Sequence, residues 1–260
     1  MNNILKRITT LALVAGLPVV ATAGSARAEE ESAWKLSVEP FLMMTSISGD
    51  ASVGRVTGAP VDVAFEDILE NLQFAAMLHA EAFHQSGWGV LFDYGYMDLG
   101  ADISGPLGGI TDVGVKQGVL ELLAAKKFPL EKGSFDLIGG LRWWDNSVDI
   151  KVNPAILPGS ANLSIDESWI DPVIGVRLTF PLTKPLKLVL RGDIGGFGVG
   201  SDFSALAMAG VHYRFNDMLS LDLQYKALWV DYADGTQGTP GYFAYDTVTH
   251  GPLVGFIFEF

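Results

Sequence analysis

The sequence contains no cysteine in its 260 residues. Disulfide frameworks, thiolate nucleophiles and cysteine-ligated zinc are excluded together. The same absence spares a chain that crosses an oxidising compartment the hazard of free thiols. Positive charge is also scarce, with 17 Lys and Arg against 30 Asp and Glu. So acidic a chain repels phosphate, which argues against a nucleic-acid partner. Histidine is limited to His79, His84, His212 and His250, without the spacing of a zinc motif. Beyond the amino-terminal segment, no charge-free apolar run reaches the ~20 residues that a membrane-spanning helix requires.

That amino-terminal segment has its own pattern. Lys6 and Arg7 precede a short apolar stretch, Leu11 to Val20, which Gly16 and Pro18 interrupt. Ala26-Arg27-Ala28 follows as a small-x-small cleavage site. Residues 1–28 are therefore expected to be a secretory signal peptide, and 29–260 a single domain. The segment removes three basic residues and no acid, so the remaining chain is more acidic than the full net charge of −13.

Half the residues are hydrophobic, and their period decides what they build. Alternation with period two recurs from Trp34 to Phe260, the signature of strands with one apolar face. Between Trp88 and Leu99, Trp88, Val90, Phe92, Tyr94 and Tyr96 alternate with Gly89, Leu91, Asp93, Gly95 and Met97. Between Leu219 and Tyr232, Leu219, Leu221, Leu223, Tyr225 and Trp229 oppose Ser220, Asp222, Gln224 and Lys226. About ten such segments are counted; merging or splitting one gives eight or twelve. Short turns near 86, 131, 183 and 217 alternate with longer links near 46–72, 100–112, 147–168, 198–202 and 233–244.

The expected fold is all-β: a closed antiparallel transmembrane β-barrel with short periplasmic turns and longer outer loops. Aromatic residues cluster at both ends of the segments. Trp34, Trp88, Phe128, Phe135, Phe180, Tyr213, Phe215 and Phe260 lie near short turns or termini. Tyr94, Tyr96, Trp143, Trp144, Phe197, Trp229 and Tyr232 lie near long loops. Two belts of this kind sit at lipid headgroups. A soluble β-sandwich explains the alternation but not the belts.

The opposite face carries charge of both signs. Lys35, Glu39, Glu81, Asp93, Glu121, Asp136, Arg142, Asp171, Arg177, Arg191, Asp193, Arg214, Asp222, Lys226 and Glu259 are expected to form a lumen charge network, with His79 and His212 on the same face. In a barrel of about ten strands such side chains largely fill the interior. A hydrogen-bonded ion-pair plug is the leading expectation, and a proton or ion path the alternative.

The remaining candidates are weaker. Gly195-Gly-Phe-Gly-Val-Gly200 lacks the Lys-Ser/Thr ending of a phosphate loop and reads as an outer hairpin. In the 46–72 link, Phe65, Ile68, Leu69 and Leu72 share one helix face, with Glu66 and Asp67 at its start. This short helix either caps the mouth, enters the lumen or packs on the rim. Acidic outer loops (Asp50, Asp62, Glu66, Asp67, Glu70, Asp149, Asp166, Glu167, Asp234) read as a solvated rim, with a cation bridge to lipopolysaccharide as the sharper hypothesis. No Ser is placed beside a His–carboxylate pair, so no catalytic residue, cofactor or metal is assigned.

The last residues, Pro252 to Phe260, set Phe256, Phe258 and Phe260 on one strand face. This terminus resembles the signal by which bacterial outer-membrane barrels are recognised by their assembly machinery. With Arg191-Gly-Asp-Ile-Gly-Gly-Phe-Gly-Val-Gly-Ser-Asp202, the chain resembles small proteobacterial outer-membrane barrels, broadly OmpA- and OmpW-like. The resemblance implies a Gram-negative outer-membrane location, porin-like architecture, and lipid, lipopolysaccharide and the barrel assembly machinery as partners. It implies a structural or interaction role; a narrow solute channel and a surface enzyme acting on lipid A or peptides stand as alternatives.

Overall fold

Leu141 and Arg142 are chain neighbours, yet the first is 51 % exposed and the second 0 %. In a strand, consecutive side chains leave opposite faces. The same contrast repeats at Leu122 against Glu121, Ile170 against Asp171 and Ile194 against Asp193. Apolar residues face out and charges face in, the inverse of a soluble core. The computed structural model describes residues 32–104, 110–153 and 161–260. The expected signal peptide lies outside them.

Among the described residues, twelve strands and one short helix follow one another. They are β1 (Trp34–Met43), β2 (Ser46–Val53), β3 (Val56–Val63), α1 (Phe65–Asn71), β4 (Leu72–His84), β5 (Trp88–Ser104) and β6 (Ile110–Leu130). Then come β7 (Gly133–Asn153), β8 (Ala161–Pro181), β9 (Leu186–Gly196), β10 (Phe203–Arg214), β11 (Leu219–Asp234) and β12 (Phe243–Glu259). β1 and β4 to β12 pair antiparallel in chain order. β12 returns to β1 (Ser37 opposite Glu259, Leu42 opposite Val254) and closes a ten-stranded barrel. Closure removes the free edges of the sheet, the condition for crossing lipid with strands. No helix among the described residues is long and apolar enough to cross a membrane.

The first outer link holds structure that its sequence did not announce. β2 and β3 form a hairpin that extends the wall, with β2 pairing the upper part of β12 (Ile47 opposite Thr249). β1 and β2 thus lie end to end along one partner. The break falls where Gly251 lets the Met44 carbonyl approach its backbone closely, and where Met44 N–H donates to the Pro252 carbonyl at 2.8 Å. On its other side β1 pairs β4 only as far as Pro40 opposite Leu78. Proline has no N–H to continue a ladder. Above that point a seam opens in the wall, and α1 lies there. Ile68 of α1 is buried with Ile47 and Met97, and Asp67 accepts a hydrogen bond from Ala64 N–H at 3.2 Å. A seven-residue helix is not stable alone; this packing holds it.

The interior is layered. Towards the outer end lies an aromatic layer of Trp144, Trp169, Tyr232 and Phe243 with Leu206, Leu228 and Val230. Trp169 stacks on Tyr232 with ring centroids 3.7 Å apart, and Trp144 on Trp169 at 5.5 Å. Trp144 and Tyr232 were expected in the lipid-facing belt, and their inward position corrects that. Each shares the parity of the inward residues of its strand, Arg142 in β7 and Lys226 in β11. Trp143 and Trp229 keep the outward one and are exposed.

Candidate functional site

The middle of the lumen is crossed by ion pairs that radial proximity, not chain proximity, assembles. Arg142 from β7 donates from Nε to Glu121 Oε1 at 2.7 Å and from Nη2 to Asp193 Oδ1 at 2.6 Å. Its Nη1 reaches Ser204 Oγ at 3.4 Å. Arg191 from β9 donates from Nη2 to Glu121 Oε2 at 2.6 Å and to Asp193 Oδ2 at 2.8 Å. Two guanidinium and two carboxylate groups therefore form a closed, neutral ring. All four side chains are buried. Burying charge is tolerable only with such pairing, and the forked guanidinium suits it because each can grip two carboxylates.

A second chain of charges runs below. Arg177 donates to both oxygens of Glu81 and, through Nε and Nη2, to Asp136 Oδ2 at 2.9 and 2.8 Å. His79 lies between Glu81 and Asp93, with Nε2 2.9 Å from the first and Nδ1 3.1 Å from the second. Carboxylates only accept, so a ring facing two of them donates from both nitrogens and is an imidazolium. Lys226 completes the series at 3.2 Å from Asp93.

The structure brings nine of the expected network residues together: Glu81, Asp93, Glu121, Asp136, Arg142, Arg177, Arg191, Asp193 and Lys226. Asp171 is inward but does other work. It accepts from Trp144 Nε1 at 2.9 Å and from Ser201 N–H and Oγ at 2.7 and 2.8 Å. That pins the glycine-rich turn between β9 and β10, where Gly196, Phe197 and Gly198 have positive φ. Glu39 and Asp222 are buried apart from the ring. Lys35 and Glu259 are exposed. Arg214, 43 % exposed, faces only Asp217 at 3.8 Å. His79 joins the network as its inward face implied, and Ser201 enters from the turn; Ser204 and Trp144 are inward partners that sequence reasoning did not assign to the interior bonding. Their parity was the available signal.

The terminal phenylalanines all face outward. Phe258 lies opposite Val38 on β1 and Leu219 on β11, and Phe260 N–H donates to the Leu36 carbonyl at 2.9 Å. They cement the closing strand from the lipid side.

Two of the histidines are committed to fixed contacts. Both nitrogens of His79 are engaged by carboxylates, so it has no lone pair for a nucleophile. His84 Nδ1 meets Ser86 Oγ at 2.8 Å but also takes the Ser86 backbone N–H, a local turn contact.

No protein-family model matches the chain, and no curated protein matches it. Solved structures do. The outer membrane protease OmpT from Escherichia coli superposes with a TM-score of 0.53 at 8% identity, covering 91% of this chain and all of its own. The translocator domain of the autotransporter NalP from Neisseria meningitidis matches at 0.49 and 14% identity, covering 98% of this chain and 95% of its own. At such identities the likeness is one of fold. That fold is the closed antiparallel β-barrel of the kind OmpT adopts, and the apolar exterior over a charged interior agrees with it.

Proposed function

We propose that this barrel is a closed, non-catalytic structural or interaction protein of the outer membrane, delivered there by its amino-terminal signal peptide. The carrying observation is the neutral ring of Arg142, Arg191, Glu121 and Asp193, which occupies the mid-lumen beneath a stacked aromatic layer. A water-filled channel would leave these side chains hydrated, whereas Arg142 has no exposed surface. OmpA- and OmpW-like barrels are the kind of protein this reading sits beside. Its partners are outer-membrane lipid, lipopolysaccharide bridged by divalent cations to the acidic outer rim, and the assembly machinery that reads the Phe256, Phe258, Phe260 face.

Planar-bilayer recording tests the closed state. Folded protein is expected to insert without conductance steps; reproducible steps would favour the narrow-channel alternative. Lipid A from overexpressing cells is expected to keep its mass. An altered acyl pattern would instead support a surface enzyme.

A further inference from the structure

Beneath the ring, towards the short-turn end, the lumen contains a cavity of about 180 Å³. Its lining carries charge of both signs, not all of it paired. Glu39 is 7 % exposed and Asp222 is wholly buried, and both line this cavity. Among the described residues no Lys or Arg comes within 4.0 Å of either. Asp222 meets His212 Nε2 at 3.1 Å without hydrogen-bond geometry and accepts from Gln224 at 2.6 Å. From β6 and β9, Lys127 and Lys187 line the same cavity, and neither has a carboxylate within ion-pair distance among the described residues.

Two buried carboxylates lining one cavity repel each other when both are ionised; a proton relieves the empty site, and a bound cation can take its place. Lys127 Nζ lies 3.9 Å from the centroid of the Phe83 ring, and with Lys187 it offers a half-buried pair of donors for an anion. A metal ion would answer only the first need, and no three Asp, Glu or His side chains among the described residues converge as a ligand set. A molecule carrying both charges answers both needs without altering the net charge of the interior. The size is suitable: a cavity of about 150 Å³ admits benzene, so this one takes roughly five to eight non-hydrogen atoms.

We propose that this cavity binds one small zwitterion of amino-acid size, its ammonium between Glu39 and Asp222 and its carboxylate against Lys127 and Lys187. Glu259 stands at its periplasmic mouth, and the ring above closes it towards the cell surface. The site is therefore a blind pocket that samples the periplasm, which goes beyond a purely structural role.

Isothermal titration of the detergent-folded protein with glycine, β-alanine and γ-aminobutyrate tests the proposal, with acetate and methylammonium as single-charge probes. At least one zwitterion is expected to give saturable one-site heat, with both single-charge probes at least about tenfold weaker. Glu39→Gln and Lys187→Met are each expected to weaken binding at least about tenfold, while Lys184→Met, on the adjoining exposed turn, leaves it unchanged. Unheated gel mobility checks folding; where one variant fails to fold, Lys127→Met replaces it. No saturable heat from any of the three zwitterions overturns the proposal. So does methylammonium binding as tightly, or a folded Lys187→Met that binds undiminished. None of these outcomes depends on the conductance measurement.

Discussion

Arg142 belongs to a balanced set, and that makes the consequence of removing it calculable in sign. With Arg191, Glu121 and Asp193 it sums to zero charge. Arg142→Met leaves two buried carboxylates facing one guanidinium. The expected loss is about 3–5 kcal/mol, the usual result of stranding a buried charge. Adding Glu121→Gln restores neutrality, since Arg191 then pairs with Asp193 alone. The double variant is expected to be more stable than the single one, as read by denaturant unfolding in lipid vesicles. Were the second substitution to lower stability further, the ring would be held by packing and not by charge balance. The participation of these residues was legible in the sequence, because sign and parity placed them inward. Their partners were not legible. Arg142 reaches Asp193 across two strand boundaries, a distance set by barrel curvature.

At the scale of elements, the seam above Pro40 shows both what periodicity reveals and what it hides. The i, i+3, i+4, i+7 pattern of Phe65, Ile68, Leu69 and Leu72 located α1 within a residue of its bounds. The hairpin before it was missed although Ile47, Ala51 and Val53 alternate with Ser48, Asp50 and Ser52, because Gly and Pro interrupt Ser46 to Val63 and make the stretch read as a loop. β12 offers β2 an edge, and Ile47 packs with Val61 and Val63 beneath the helix. The tall strands were shortened for a related reason: β6 and β7 run 21 residues each, while lipid constrains only about 9–11 of them. Beyond the bilayer nothing enforces the alternation by which strands are recognised. If α1 seals the seam, its single buried anchor matters. Ile68→Ala is expected to lower stability by about 2–4 kcal/mol. Limited proteolysis of folded protein is expected to cut within residues 54–72 faster than in the unaltered chain. Unchanged cleavage would mean that Leu69 and Phe65 hold the helix without it.

The whole molecule is defined by the solvent on each side of its wall, and one strand carries the decisive comparison. Leu141 and Arg142 differ by a single step along β7, yet one faces out and the other is sealed inside. In water, an exposed leucine replaced by arginine is close to neutral. In a bilayer the same change near the midplane costs about 2–4 kcal/mol, because the guanidinium must drag water or headgroups towards it. Leu141→Arg is therefore expected to lower unfolding stability by that amount in vesicles, and Leu137→Arg, two pleats nearer the short-turn end, by less, since the penalty falls towards the interface. The graded pair separates lipid from mere packing: a loss of local contacts would make the two variants similar. Equal, near-zero effects at both positions would place this apolar face outside the hydrocarbon, and with it the reason for a charged interior would disappear.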